Sequence, residues 1–332
     1  MLTLLILKAE KKFSYQLILK LLKIKYKMKK DFLVTVSMPN YGQEKFISEA
    51  ILGVLSQKAN FEIELIVTDD CSPDNTKDVV QNIIETHPNG HWIKYIRHTK
   101  NKGAIPNFAW TISQAKGKYI AVCEGDDYWT NPLKLQKQVD FLEQNPTYSI
   151  TFHKVQETGG SENEIISSPS KEETYTILDL AKGNFIHTPS VVFRKNFEEL
   201  PEWFKYSPIG DYPLHLLNAA YGLIKYFPDE MAVYRVGSGI WSSKSTVYKL
   251  INTIFSLKFL LEYFKENKPV FESLKKQYDN YYAAIIKPIE AKEILESNIK
   301  DYRFLEKIIS FSSILKILKI KLCKKIGIAN SR

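Results

Sequence analysis

Between residues 32 and 127 the chain alternates short apolar-rich runs with segments whose apolar residues recur at helical spacing, and this pattern restricts the fold more than any other feature. Such alternation predicts parallel strands, and each crossover between them needs a helix. Leu33–Met38 reads as the first strand, ended by Pro39. Phe46, Ile47, Ala50, Ile51, Val54 and Leu55 then share one helical face. Ile63–Thr68 is the second strand, followed by a polar turn at Asp69–Asp74 and a helix carrying Val79, Val80, Ile83 and Ile84. Ile93–Arg97, a helix around Phe108–Ala115, and a strand at Tyr119–Cys123 complete the alternation. After Pro146 the pattern breaks into shorter, mixed pieces. A strand at Ser190–Phe193, a helix after Asp211 and a strand near Ile224–Tyr234 read as the second half of one sheet. From Thr246 on the chain reads as mostly helical. The expected architecture is α/β: a mixed, mostly parallel sheet flanked by helices, with a C-terminal helical extension.

Single cores stop growing near roughly 250–300 residues, so 332 residues suggest a main domain with appendages. We expect a basic N-terminal extension over 1–30, the main domain over 31–240, and a helical, basic region over 241–332. The net charge of +9 is unevenly placed: residues 1–30 carry +8 and residues 301–332 carry +6, leaving the middle at −5. Basic ends around a mildly acidic centre suit an anionic membrane surface better than a groove for nucleic acid, and no nucleic-acid partner is expected. Solvated lysine-rich tails are the other account. The segment 311–328 places Phe311, Ile314, Leu315, Leu318 and Leu322 at helical spacing among lysines. That pattern fits a helix lying in a membrane interface or one packed on the main domain. Met28 stands just before the first strand and is the expected start if residues 1–27 derive from an upstream codon.

Lysines interrupt both the N-terminal leucine run and the segment after Ile309, so no stretch approaches the roughly 18 apolar residues of a membrane span. Cys71, Cys123 and Cys323 are odd in number, far apart and outside any C-x-x-C spacing, which points away from a disulfide framework or a zinc site and toward a reducing cytosol.

Three polar clusters fall where strands give way to loops: Pro39-Asn40-Tyr41-Gly42, Asp69-Asp70, and Glu124-Gly125-Asp126-Asp127. Ligands of open α/β sheets collect outside the carboxyl ends of strands. Neighbouring carboxylates repel, so a site that keeps them ionised supplies a cation. With no Cys or His flanking the third cluster, the donor set is all oxygen, which selects a hard ion such as Mg²⁺ or Mn²⁺.

Four stretches together resemble the family 2 glycosyltransferases, whose nucleotide-sugar-binding fold is called GT-A. They are Val34–Gly42, Ile66–Asp74, Asn101–Asn107 with Ala115–Ile120, and Glu124–Trp129; the resemblance spans roughly residues 33–240. Glu124–Asp127 is this chain's version of the family's Asp-x-Asp signature, with Glu124 in its first acidic position. The resemblance implies that Pro39 and Tyr41 border the nucleotide base and that Asp70 accepts a hydrogen bond from its ring nitrogen, as suits the N–H of uracil. Lys102, Gly103 and Asn107 match the stretch lining the nucleotide pocket. Asp126 is expected to face the ribose, and Asp127, with Glu124, to hold Mn²⁺ or Mg²⁺ against the diphosphate. Gly210–Leu216 matches the element that carries the family's general base, which makes Asp211 the expected base and inversion of the anomeric centre the expected outcome; a mere helix cap is the competing account of Asp211.

The sequence departs from the family in one place that bears on metal affinity: where many relatives have a His after the last strand, this chain has Gly237. His187–Ser190 resembles a stretch near the acceptor side, and a buried strand-end His explains it equally well. The implied activity is a hexosyl or hexosaminyl transfer from a nucleotide-sugar donor, UDP-linked by expectation, to a glycan or lipid-linked glycan, as in bacterial surface polysaccharide synthesis. It would take place in the cytoplasm, on the inner face of the plasma membrane. Two rivals stand beside it: a sugar nucleotidyltransferase, and a non-catalytic nucleotide-sugar-binding protein.

Overall fold

The computed structural model describes residues 33–159, 173–237, 239, 241 and 244–286. The N-terminal extension, the lysine-rich 311–328 segment, Cys323 and the Gly160-Ser161 pair lie outside the described residues.

The described strands form one nine-stranded sheet. In chain order they are β1 (Val34–Asn40), β2 (Ile63–Asp69), β3 (Ile93–Arg97), β4 (Tyr119–Val122), β5 (Tyr128–Trp129), β6 (Tyr148–Thr158), β7 (Thr174–Tyr175), β8 (Val192–Arg194) and β9 (Leu223–Arg235). The order across the sheet is β3-β2-β1-β4-β8-β6-β9-β5, with β7 against β9. Strands β1 to β4 are mutually parallel, β8 runs against both β4 and β6, and β9 is parallel to β6. Six strands therefore run one way, and only β5, β7 and β8 oppose them, so the sheet is mixed and mostly parallel as expected.

Helices cover both faces: α1 (Ile47–Leu55), α2 (Thr76–Thr86), α3 (Ala104–Ser113), α4 (Lys134–Gln144), α5 (Ile177–Leu180), α6 (Asp211–Ala219), α7 (Thr246–Tyr263) and α8 (Lys268–Ile286). The two-residue period of the strands divides the core into two layers. Val34, Val36 and Met38 of β1, with Tyr119, Ala121 and Cys123, pack against α1, Val80 and Ile83 of α2, and Leu135, Val139 and Leu142 of α4. Ile120 and Val122 face the opposite way, toward Phe108 and Ile112 of α3, Leu214 and Leu217 of α6, and Leu257 and Leu260 of α7. Phe264, Val270 and Leu274 join this second layer, so the C-terminal helices share a core with the sheet. Each fully buried aliphatic chain contributes on the order of 1.5–3 kcal/mol, and β2 is buried at all seven positions, Glu64, Thr68 and Asp69 included. Among the described residues no helix is long and apolar enough to cross a membrane.

The sequence reading finds most elements of the first half within a few residues, but it does not find α4, β5, β7 or the long β6. Strand β6 hides because its register with β9 shifts around His153 and Lys154. Ile150 and Phe152 alternate, and the irregularity then moves the next buried apolar residue to Val155, breaking the two-residue period on which strand recognition depends.

Candidate active site at the carboxyl ends of β1, β2 and β4

Because β2, β1 and β4 are adjacent and parallel, their carboxyl ends bring the three polar clusters together. Asn40 lies opposite Asp69 in the β1–β2 register, and the Asp70 N–H donates to the Asn40 carbonyl at 2.9 Å.

The two adjacent aspartates do different work. Asp69 is fully buried and accepts from Ser72 N–H at 2.7 Å, the Tyr95 hydroxyl at 2.6 Å and the Arg97 guanidinium at 2.6 Å. Burial pushes its carboxyl up, but the bonds from Ser72, Tyr95 and Arg97 outweigh that and hold it below the usual carboxylate value. Asp69 is therefore a brace between β2 and β3. Asp69→Asn is expected to lower stability by about 2–4 kcal/mol, since it leaves buried donors without a charged acceptor. A depressed carboxyl contributes stability that is present above its unfolded value near 3.8 and lost as pH falls through the folded one. Denaturation of the variant and wild type at neutral pH and near pH 3 checks both statements: the difference between them must shrink in acid.

Asp70 turns the other way, and its two oxygens accept from the backbone N–H groups of Lys102 and Gly103, each at 2.8 Å. Gly103 has φ +95, a left-handed conformation that favours glycine, and this presents both amides to one carboxylate. The structure thus brings Asp70, Lys102 and Gly103 into one contact, with Pro39 half-buried and Tyr41 exposed at the end of β1. The Lys102 ammonium lies 4.9 Å over the Trp110 ring. Asn107 sits deeper: it is 2% exposed, and its amide bonds the His98 ring at 3.0 Å and the Thr68 carbonyl at 3.2 Å.

The acid turn follows β4. Glu124, Asp126 and Asp127 place carboxylate oxygens within 4.8 Å of one another, the metal-competent acidic group among the described residues. Asp127 is 1% exposed; its Oδ1 accepts from the Arg235 backbone N–H at 2.9 Å, and its Oδ2 has no hydrogen-bond partner among the described residues. Burial, then the charges of Asp126 and Glu124, push Asp127 well above the usual carboxylate range. Burial, Asp126 and Asp211 push Glu124 up to about 8. A buried carboxylate oxygen without a donor, beside two further carboxylates, is the arrangement that a divalent cation satisfies, and the all-oxygen donor set fits a hard ion. Arg235 braces the turn from outside: its guanidinium donates to the Asp126 carbonyl and to Glu49 and lies 4.5 Å over the Tyr128 ring. Gly125 permits a close approach, because a Cβ there would lie 2.2 Å from Asn40 Oδ1. Asn40 is 4% exposed and neither polar atom of its amide has a partner among the described residues.

Asp211 opens α6 and is within electrostatic reach of Glu124. Its Oδ2 accepts from Asn184 Nδ2 at 3.0 Å, and burial raises its pKa against the lowering effect of that bond and of backbone N–H groups. Trp129 is 3% exposed and donates to the Pro189 carbonyl at 2.8 Å, which places it in the core. His187 is buried against Glu157, with Nε2 2.8 Å from Glu157 Oε1. Gly237 is exposed with φ +92 and has no side chain to offer an ion. Sequence reasoning missed Arg235, Asn184 and the Glu157–His187 pair, since each acts on residues far along the chain.

The sheet order and the strand-end acids define a GT-A-type α/β domain. The family model described as glycosyl transferase family 2 matches residues 35–200, half of the chain, and the chain belongs to that family. An uncharacterized protein of Mycobacterium tuberculosis is 38% identical over 213 residues, 62% of this chain and 60% of that protein. The chain thus spans about three fifths of the length of such relatives. The Escherichia coli enzyme WfgD, named as a UDP-Glc:alpha-D-GlcNAc-diphosphoundecaprenol beta-1,3-glucosyltransferase, is 35% identical over 116 residues, 35% of this chain and 43% of that enzyme. S. aureus TarS 1-349, solved in complex with UDP-GlcNAc, shares the fold with a TM-score of 0.51 at 18% identity, over 75% of this chain and 81% of that one.

Proposed function

We propose that this chain is an inverting, metal-dependent glycosyltransferase that moves a hexosyl or hexosaminyl group from a UDP-sugar to a glycan or lipid-linked glycan in bacterial surface polysaccharide synthesis. The observation that carries this reading is the Glu124–Asp126–Asp127 turn, with a buried Asp127 Oδ2 that has no partner among the described residues, set within electrostatic reach of Asp211. The donor and acceptor printed in the name of WfgD support the UDP and lipid-linked parts.

In this reading Pro39 and Tyr41 border the base, Asp70 reads it, Lys102 and Gly103 fix Asp70 from the main chain, Asn107 lines the nucleotide pocket, and Asp126 faces the ribose. Asp127 and Glu124 would hold Mn²⁺ or Mg²⁺, which supplies electrostatic stabilisation to the departing diphosphate when bound. Asp211 takes the proton from the acceptor hydroxyl through Oδ1, while Asn184 holds Oδ2. Attack from the side opposite the diphosphate inverts the anomeric centre. Residues 31–240 carry this chemistry, and α7 and α8 buttress it. A sugar nucleotidyltransferase is disfavoured because it needs a glycine-rich, basic loop after β1 for a triphosphate, whereas Pro39-Asn40-Tyr41-Gly42-Gln43-Glu44 follows here.

A ligand that binds only the native state raises its stability. We expect UDP, among UDP, GDP, CDP, ADP and TDP, to raise the thermal midpoint most, and only with Mn²⁺ or Mg²⁺. A metal-independent shift, or none with any nucleotide, would overturn the reading; a larger shift with another nucleotide would overturn the role of Asp70 alone.

A further inference from the structure

One wall of the cleft has no part in the reading above. Strand β9 passes the acid turn at Tyr234 and Arg235, and consecutive strand residues project to opposite faces. Arg235 goes to the Asp126 carbonyl and Tyr128. Tyr234 goes the other way, and its ring centre lies 5.3 Å from that of His187. That is also the side of Asp211, because the short segment that carries His187 also carries Asn184, which bonds Asp211 at 3.0 Å. Tyr234 is bracketed at both ends: by its neighbour's N–H, which binds Asp127 at 2.9 Å, and by the loop that holds Asp211.

The wall is braced. His187 is only 4% exposed and is held by Glu157 at 2.8 Å. Glu157 is itself the residue registered opposite Tyr234 across the β6–β9 pair. Tyr234 is within electrostatic reach of Asp127, Glu124, Asp211 and Asp126, and burial first, then those carboxylates, keep the proton on its phenol, which can therefore act as a hydrogen-bond donor. Diphosphate oxygens belong to the acid turn and the acceptor hydroxyl to Asp211. What lies between those two ends is the transferred sugar, whose hydroxyls and ring oxygen accept hydrogen bonds.

We propose that the Tyr234 hydroxyl donates a hydrogen bond to the sugar being transferred, and that the Glu157–His187 pair positions it. This rests on the nucleotide-sugar reading of the same site. Tyr234→Phe removes the hydroxyl and keeps the ring packed on His187. The test is calorimetric titration, with Mn²⁺ present, of UDP and of UDP-glucose, UDP-galactose and UDP-N-acetylglucosamine into wild type, Tyr234→Phe and Glu157→Gln. Wild type is expected to bind one UDP-sugar more tightly than UDP. Tyr234→Phe should weaken that UDP-sugar about fivefold to tenfold, the worth of one hydrogen bond, and leave UDP within about twofold. Glu157→Gln should show the same selective loss to a smaller degree. Equal weakening of UDP and UDP-sugar, or no change in either, would overturn the role of Tyr234 while leaving the nucleotide-sugar reading intact. Failure of wild type to bind UDP with Mn²⁺ would instead remove that reading, and this inference with it.

Discussion

Asp127→Asn is expected to reduce transfer by about 10²- to 10³-fold or more while leaving the ligand-free protein at least as stable as wild type. Both halves follow from the same contacts. The carboxylate is 1% exposed, one oxygen accepts from the Arg235 N–H, and the other has no donor among the described residues although two more carboxylates stand beside it. An amide keeps the acceptor for Arg235 and turns an N–H toward Glu124 and Asp126, so repulsion is replaced by attraction. Transfer suffers because the group that neutralises the leaving diphosphate loses its anchor, and such electrostatic terms are worth about 10²–10³ in rate. Turnover, with thermal midpoints in chelator and in Mn²⁺, checks the pair of statements. A variant that turns over like wild type, or one that still gains stability from Mn²⁺, would remove Asp127 from the site.

The same turn fixes how stability responds to pH. Glu124 is raised from an ordinary 4.5 to about 8 by burial, Asp126 and Asp211, and Asp127 is raised as well. A raised carboxyl keeps its proton in the folded chain after the unfolded chain has lost it, so its contribution is complete below about pH 4.5 and disappears as pH rises through about 8. In chelator, the advantage of Glu124→Gln over wild type should therefore grow between pH 5 and pH 8.5. Mn²⁺ should close that gap, because it binds the ionised turn. An advantage that shrinks with rising pH would contradict the arrangement.

Asp211→Asn is expected to lower kcat by about 10²–10⁴-fold, the range of a lost general base, with Mn²⁺-dependent UDP binding kept within about twofold. The asymmetry distinguishes a base from a ligand. Asp211 opens α6, and among the described residues its side chain accepts from Asn184 at 3.0 Å. The amide leaves the helix N-terminus and Asn184 in place, so a drop in turnover alone reports the missing proton acceptor. If the variant loses UDP binding and turnover together, Asp211 serves the fold or the metal; if it keeps turnover, another group is the base.

The parallel half of the sheet was legible because β1, β2 and β4 are buried on both faces and carry apolar-rich runs ending in polar turns. The acid turn was legible for the same reason: Glu124–Asp127 sits where such a run stops. The different duties of Asp69 and Asp70 were not, since they are set by Tyr95 and Arg97 on one side and by the Lys102–Gly103 amides on the other. Asn107 matched a motif, yet the His98 ring that holds it lies on a different segment. Arg235 and Tyr234 take their places on opposite faces beside the turn only after β9 has paired with β6 and β5, across a register shift that breaks the strand period.

The central claim is that the acid turn and Asp211 form one transferase site, and nucleotide release tests it most directly. UDP-glucose, UDP-galactose and UDP-N-acetylglucosamine, each with Mn²⁺ and with lipid-linked N-acetylglucosamine, should yield UDP with wild type and one of the three sugars. Chelator, Asp127→Asn and Asp211→Asn should each abolish it, with UDP binding surviving only in the last. UDP release that persists in chelator, or at wild-type rate in Asp211→Asn, would contradict the account.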